Sequence, residues 1–139
     1  MRIRYLTATL GAMGLTGVIV LGNPSAVAQA DPDPVLFAEL MEEGQKVFLD
    51  NCAFCHGADG QGAGAPKLAG NGYITANATT VTIILDGYGS HGMPAFRTAL
   101  TVREVAAVST FIRNSWGNEY GMTTEAIVMQ YYNDGAGSL

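Results

Sequence analysis

The stretch Cys52-Ala53-Phe54-Cys55-His56 decides how the rest of this chain is read. Two thiols three positions apart can each add to a vinyl group of one porphyrin, and the adjoining imidazole then reaches the iron from one face. C-x-x-C-H is therefore the attachment signature of a c-type haem. The same residues also suit a redox dithiol, a structural disulfide or half of a zinc site. Zinc is disfavoured because Cys52 and Cys55 are the only cysteines and His56 and His91 the only histidines, with no finger spacing between them. A thioredoxin-like dithiol requires a strand-helix-strand context that the flanking residues do not supply.

Upstream of the motif the chain reads as an export signal. Arg2 and Arg4 give a basic start, Leu6 to Leu21 is apolar, and Ala28-Gln29-Ala30 is an A-x-A cleavage site, so residues 1–30 are expected to be removed and the mature protein to begin at Asp31. An uncleaved anchor is the competing reading, but the apolar run is shorter than the ~20 residues that span a bilayer. What remains is the size of one small domain. Loss of the two arginines leaves 5 basic residues against 12 acidic ones, a net charge of −7. Nucleic acid and anionic membrane surfaces are thereby disfavoured as partners, and no stable membrane insertion is expected once the signal is cleaved. With Lys46 and Lys67 the only lysines, a lysine ring for docking an acidic partner cannot be built.

After the short leader Asp31 to Pro34, the residues Leu36, Leu40, Val47 and Phe48 recur at helical spacing. Gly44 either separates two helical pieces or marks a close packing contact. Gly57 to Gly72 is Gly- and Ala-rich without apolar period and matches no phosphate-binding fingerprint; it reads as a tight wrap around the edge of a flat ligand. Thr79 to Leu85 is β-branched and by local propensity suits strand or helix. Thr101-Val102-Arg103-Glu104 is a capping box, followed by the apolar stripe Val102, Val105, Ala106, Val108, Phe111 and Ile112. A weaker helical pattern covers Thr124 to Tyr132 in the tail.

A low-spin haem needs a second ligand on its far face. Met41, Met93, Met122, Met129 and His91 are available, and each Met is more often a core gap-filler than a ligand. Met93 stands apart in Gly92-Met93-Pro94-Ala95-Phe96, where Gly and Pro hold a loop in a defined shape. His91, two residues away, is the rival. The choice matters because a thioether favours ferrous iron and raises the potential relative to two imidazoles.

From Gly44 to Trp116 these residues resemble the class I c-type cytochromes of the bacterial monohaem type. The resemblance implies a mostly α, single-domain cytochrome c fold of about four to five helices around one covalent haem c, with the cytochrome domain at 44–117, the first helix beginning within 31–43, and 118–139 as a C-terminal extension. It implies that Thr79 to Leu85 is a short helix, and that Gly44, Phe48 and Phe111 form the contact between first and last helices. It further implies that Cys52 and Cys55 carry the haem, that His56 and Met93 ligate its iron, and that the Pro66 carbonyl accepts a hydrogen bond from His56 while Leu68 lies close by. By the same resemblance Phe111 to Asn118 is similar to the last helix of small cytochromes that serve periplasmic dehydrogenases.

The expectation is thus a periplasmic one-electron carrier rather than an enzyme. It takes electrons from a dehydrogenase, or forms its cytochrome subunit, and passes them to an oxidase or another cytochrome. The alternatives are a haem protein with an open sixth position that acts as an enzyme or gas binder, and a haem-free exported dithiol domain. The single attachment motif excludes a two-haem peroxidase. The apolar wall is expected from Leu68, Val81, Ile84, Leu85, Phe96, Phe111 and Ile112.

Overall fold

Asp33 caps the first helix: its carboxylate accepts from the amides of Val35 and Leu36 at 2.9 and 3.4 Å, and Pro34 occupies the first turn, where a missing N–H costs nothing. The computed structural model describes residues 33–135; the expected export segment and the end of the tail lie outside them. Helix α1 covers Pro34–Asn51 and runs unbroken through Gly44. Of the two readings of that glycine, the close contact holds. A Cβ at position 44 would lie 2.1 Å from the carbonyl oxygen of Ala107.

Ala107 belongs to helix α4, Val102–Asn114, which crosses α1 at this point. The capping box is formed in both directions: the Glu104 amide donates to Thr101 Oγ1 at 3.2 Å and the Thr101 amide to Glu104 Oε2 at 2.8 Å. Such a box satisfies two otherwise orphaned amides at the helix start. The stripe residues Val105, Ala106, Val108, Phe111 and Ile112 are all buried. Phe48 from α1 meets Phe111 with ring centroids 5.5 Å apart, and Trp116 closes the triangle at 5.0 Å from Phe48 and 5.3 Å from Phe111. Trp116 has φ +56°, a conformation costing an ordinary residue roughly 1–2 kcal/mol, which its aromatic contacts offset.

Four-residue α2, Ala53–His56, follows directly on α1. Thr79 to Leu85 folds as a helix within α3, Asn77–Asp86. The tail returns as α5, Glu125–Gly135, packed on α3 and α4 through the fully buried Val128. The turn before it is fixed by a buried polar exchange in which Thr110 Oγ1 donates to the Thr123 carbonyl and the Thr123 amide donates back to Thr110 Oγ1. Among the described residues there are five α-helices and no strand, as the mostly α expectation required. None of these helices is long and apolar enough to cross a membrane.

Candidate cofactor site

The C-terminal end of α1 hands the chain to the cysteine motif without a break. The Cys52 amide donates to the Phe48 carbonyl at 2.8 Å, and the His56 amide donates to that of Cys52 at 3.0 Å. The Gly- and Ala-rich loop then folds back over the motif. The amides of Ala63, Gly64 and Ala65 converge on the single carbonyl oxygen of Cys55 at 2.9–3.1 Å, and Gly62 donates to that of His56 at 2.7 Å. Small side chains permit this crowding. The wrap carries Pro66 to the imidazole, with His56 Nδ1 lying 2.9 Å from the Pro66 carbonyl oxygen. A carbonyl only accepts, so Nδ1 holds the hydrogen and Nε2 keeps its lone pair for a metal. Cys55 is exposed and Cys52 half-buried, where burial pushes the Cys52 thiol up to about 11.

The distal segment is shaped by α3. Tyr88 and Met93 exchange backbone hydrogen bonds at 2.9 and 3.3 Å, closing a loop that contains Gly89–His91 as a 3₁₀ turn. Beyond it the amides of Phe96 and Arg97 donate to the carbonyls of Ile84 and Leu85 near the end of α3. Gly87, at φ +73°, lies under this segment; a Cβ there would come within 2.7 Å of the Met93 carbonyl oxygen. Met93 is thereby held from both sides.

These parts enclose one cavity of about 1020 Å³, lined by Cys52, Cys55, His56, Pro66, Leu68 and Met93 together with apolar residues of α3 and α4. That volume lies at the top of the ~300–1,000 Å³ typical of cofactor pockets. Among the described residues its charged lining is Lys67, and no carboxylate faces it. Phe54, Tyr73 and Tyr88, 93%, 80% and 52% exposed, stand at its mouth. Paired thiols, an imidazole with a fixed tautomer and a thioether around an apolar slot form a donor set that suits a large flat metallo-ligand. Among the described residues no three His, Cys, Asp or Glu side chains gather as a cage for a bare ion.

The rival ligands are placed differently. Met41, Met122 and Met129 do not line the cavity. His91 does so from its exposed rim, where it stacks on Tyr88 at 4.2 Å and bonds Ser90 Oγ through Nδ1 at 2.8 Å. The apolar wall needs correction. Leu68, Ile84, Phe96 and Ile112 line it, but Val81, Leu85 and Phe111 turn into the core between helices. The α3 face in the cavity is Thr79, Thr80, Ile83 and Ile84, and Ile74, Leu100 and Tyr73 complete it. In a helix β-branched all round, composition does not say which face is which.

Comparison with known proteins decides what the slot is for. The family described as cytochrome c oxidase, cbb3-type, subunit III matches residues 39–112. The chain belongs to this family. It is a c-type cytochrome domain with the small cytochrome c fold; its cofactor is a covalently bound haem c, and electron transfer through that haem is its chemistry. The domain is 33% identical over 100 residues to the cytochrome c subunit of a quinone alcohol dehydrogenase from Gluconobacter oxydans, a match covering 63% of this chain and 21% of that one. It is 35% identical over 98 residues to the cbb3-type oxidase subunit FixP of Sinorhizobium medicae, covering 68% and 32%. With the gluconate 2-dehydrogenase cytochrome c subunit of Pantoea cypripedii it shares 32% over 99 residues, covering 61% and 22%. The cytochrome domain thus spans between about a fifth and a third of the length of these curated relatives.

Proposed function

We propose that this cytochrome is an exported, periplasmic one-electron relay that accepts electrons from a dehydrogenase, as its partner or its cytochrome subunit, and passes them to an oxidase or another cytochrome of a respiratory chain. The observation that carries the reading is the convergence of Cys52, Cys55, His56 and Met93 on one apolar cavity. The relatives support it: by their names they are subunits of a quinone alcohol dehydrogenase, a gluconate 2-dehydrogenase and a cbb3-type cytochrome c oxidase.

In this reading Cys52 and Cys55 would hold the haem through two thioethers, and His56 and Met93 would ligate its iron. Haem c supplies a one-electron iron couple. The chain's own residues do the rest. Pro66 orients the imidazole and strengthens it as a donor by taking the Nδ1 hydrogen bond. Leu68, Ile84, Phe96 and Ile112 exclude water, and Phe54 and Tyr73 border the mouth where a partner approaches.

Holoprotein purified from the periplasm should be reduced by an endogenous dehydrogenase that co-purifies with it or meets it transiently. Absence of protein from that compartment, or failure of every periplasmic dehydrogenase fraction to reduce it, would overturn the assignment of place and donor. The ligand assignment has its own check. Met93→Ala should keep its haem, lose the sulfur-to-iron charge-transfer band and drop in potential by about 0.1 V or more, within the ~0.8 V over which axial ligands move haem potentials. A retained band would move the sixth ligand elsewhere.

A further inference from the structure

The C-terminal extension has no part in the site as described so far, yet its last described turns reach the segment that carries Met93. Four residues beyond Met93, the Arg97 guanidinium is engaged on two sides. Nε and Nη2 donate to Asp86 Oδ1, at 3.1 and 2.5 Å, at the end of α3. Nη1 donates to the Tyr132 carbonyl of α5 at 2.7 Å. The Arg97 guanidinium carbon also lies 5.1 Å from the centroid of the Tyr132 ring. The bond is returned, for Tyr132 Oη donates to the Arg97 carbonyl oxygen at 3.1 Å. The α5 end of this clasp is itself anchored, since Val128 one turn earlier is fully buried.

We propose that α5 acts as a brace for the distal loop, with Arg97 and Tyr132 as positioning residues that keep Met93 on the iron. The proposal rests on the reading of Met93 as sixth ligand. Its physical basis is a two-state equilibrium. The loop between Tyr88 and Phe96 is short and lies at the protein surface, and movement of the backbone around residues 93–97 would carry Met93 away from the metal. Two hydrogen bonds and a cation–π contact between Arg97 and Tyr132 oppose that movement from the C-terminal side. An outside ligand that competes with Met93 binds only the loop-open form, so its apparent dissociation constant is the intrinsic one divided by the open fraction. Weakening the brace raises that fraction directly. Loss of the cation–π contact together with one hydrogen bond should raise the open fraction about tenfold.

The experiment is imidazole titration of the ferric holoprotein, followed in the visible spectrum, for the parent, Arg97→Met, Tyr132→Leu, Tyr132→Phe and the double variant Arg97→Met/Tyr132→Leu. Each large change should tighten imidazole binding about tenfold. The double variant should tighten it further, but by less than the roughly hundredfold product of the singles, because each change leaves the other's hydrogen bond to a backbone carbonyl in place while both remove the same cation–π contact. Tyr132→Phe keeps the ring and loses only the hydroxyl, and should give about threefold. If a large change prevents folding, the threefold shift in Tyr132→Phe, present or absent, decides between brace and no brace. Thermal midpoints are recorded alongside. Lower midpoints with imidazole affinity unchanged would mean that the clasp merely stabilises the fold, and would overturn the proposal. Met93→Ala separates the two levels. If it loses the charge-transfer band while the clasp variants bind imidazole like the parent, the brace is wrong and the ligand right; if the band survives in Met93→Ala, both fall.

Discussion

Gly44→Val should yield no folded, haem-loaded protein. At the crossing of α1 and α4 any Cβ on residue 44 would sit 2.1 Å from the Ala107 carbonyl oxygen, 2.6 Å from its carbon and 2.7 Å from the Phe111 Cβ. Two of the three obstructing atoms are backbone inside a helix, so no rotamer change relieves the clash; the helices must separate. Separation dismantles the Phe48, Phe111 and Trp116 cluster that fills the same junction. Overpacking of a well-filled core typically costs about 1–3 kcal/mol, and loss of aromatic burial adds several more, which together approach the ~5–15 kcal/mol total stability of a domain. Yield of haem-containing protein and far-ultraviolet circular dichroism read the outcome. A variant that accumulates and melts like the parent would show that the helices do not meet here.

The second large effect is expected at Arg113. Its guanidinium is buried, 3% exposed, and no carboxylate pairs with it among the described residues. Instead Nη1 donates to the carbonyls of Ile74 and Thr75 at 2.7 and 2.8 Å, Nε to that of Gly121 at 3.3 Å, and Nη2 to that of Tyr120. Burial pulls its proton affinity below the ordinary value, yet an arginine remains charged at neutral pH. One side chain thus ties the 72–75 turn, whose Ile74 lines the cavity, to the chain leaving α4. Arg113→Met leaves the Thr75 and Tyr120 carbonyls without a side-chain donor and takes one of two from Ile74 and Gly121, which keep Thr80 Oγ1 and Asn114 Nδ2. At about 1.5–3 kcal/mol for a hydrogen bond to a charged group, partly recovered by water at the exposed Thr75 and Gly121, the expected loss is about 3–5 kcal/mol in denaturant unfolding of the ferric protein. Arg113→Lys should recover less than half, because an ammonium cannot span four carbonyls spread across a planar fork. A loss below about 1 kcal/mol would mean that the turn is held by other contacts.

The parts legible from sequence are those whose signal is local. The capping box at Thr101 marks the start of α4 and the stripe after it the face that is buried, because both depend on neighbours within a few turns. The stripe's apparent end near Trp116-Gly117 overshoots the helix, which stops at Asn114. The cysteine motif and the Gly- and Pro-flanked Met93 single out residues that do line one cavity. Gly44 is ambiguous in sequence because its deciding partner, Ala107, is 63 positions away, and a glycine in a helical pattern looks the same whether it breaks the helix or admits a neighbour. Thr79 to Leu85 carries no periodicity to separate helix from strand or cavity face from core face, so sequence alone puts Val81 and Leu85 on the wrong side. Arg113 gives no sequence signal at all, since a lone arginine late in an amphipathic helix is normally solvated; its carbonyl partners come from two separate segments, 74–75 and 120–121. The tail shows only weak periodicity, and the clasp that relates it to Met93 exists only in three dimensions.

The helix crossing at Gly44 also sets an order of events. Synthesis runs from the N-terminus, and roughly sixty residues separate His56 from the end of α4. A chain exported N-terminus first thus delivers the Cys52 and Cys55 sulfurs ahead of the residues that complete the last wall of their slot. The nascent polypeptide therefore presents its thiols in the open, and final closure by the late-arriving helix seals whatever has been joined to them by then.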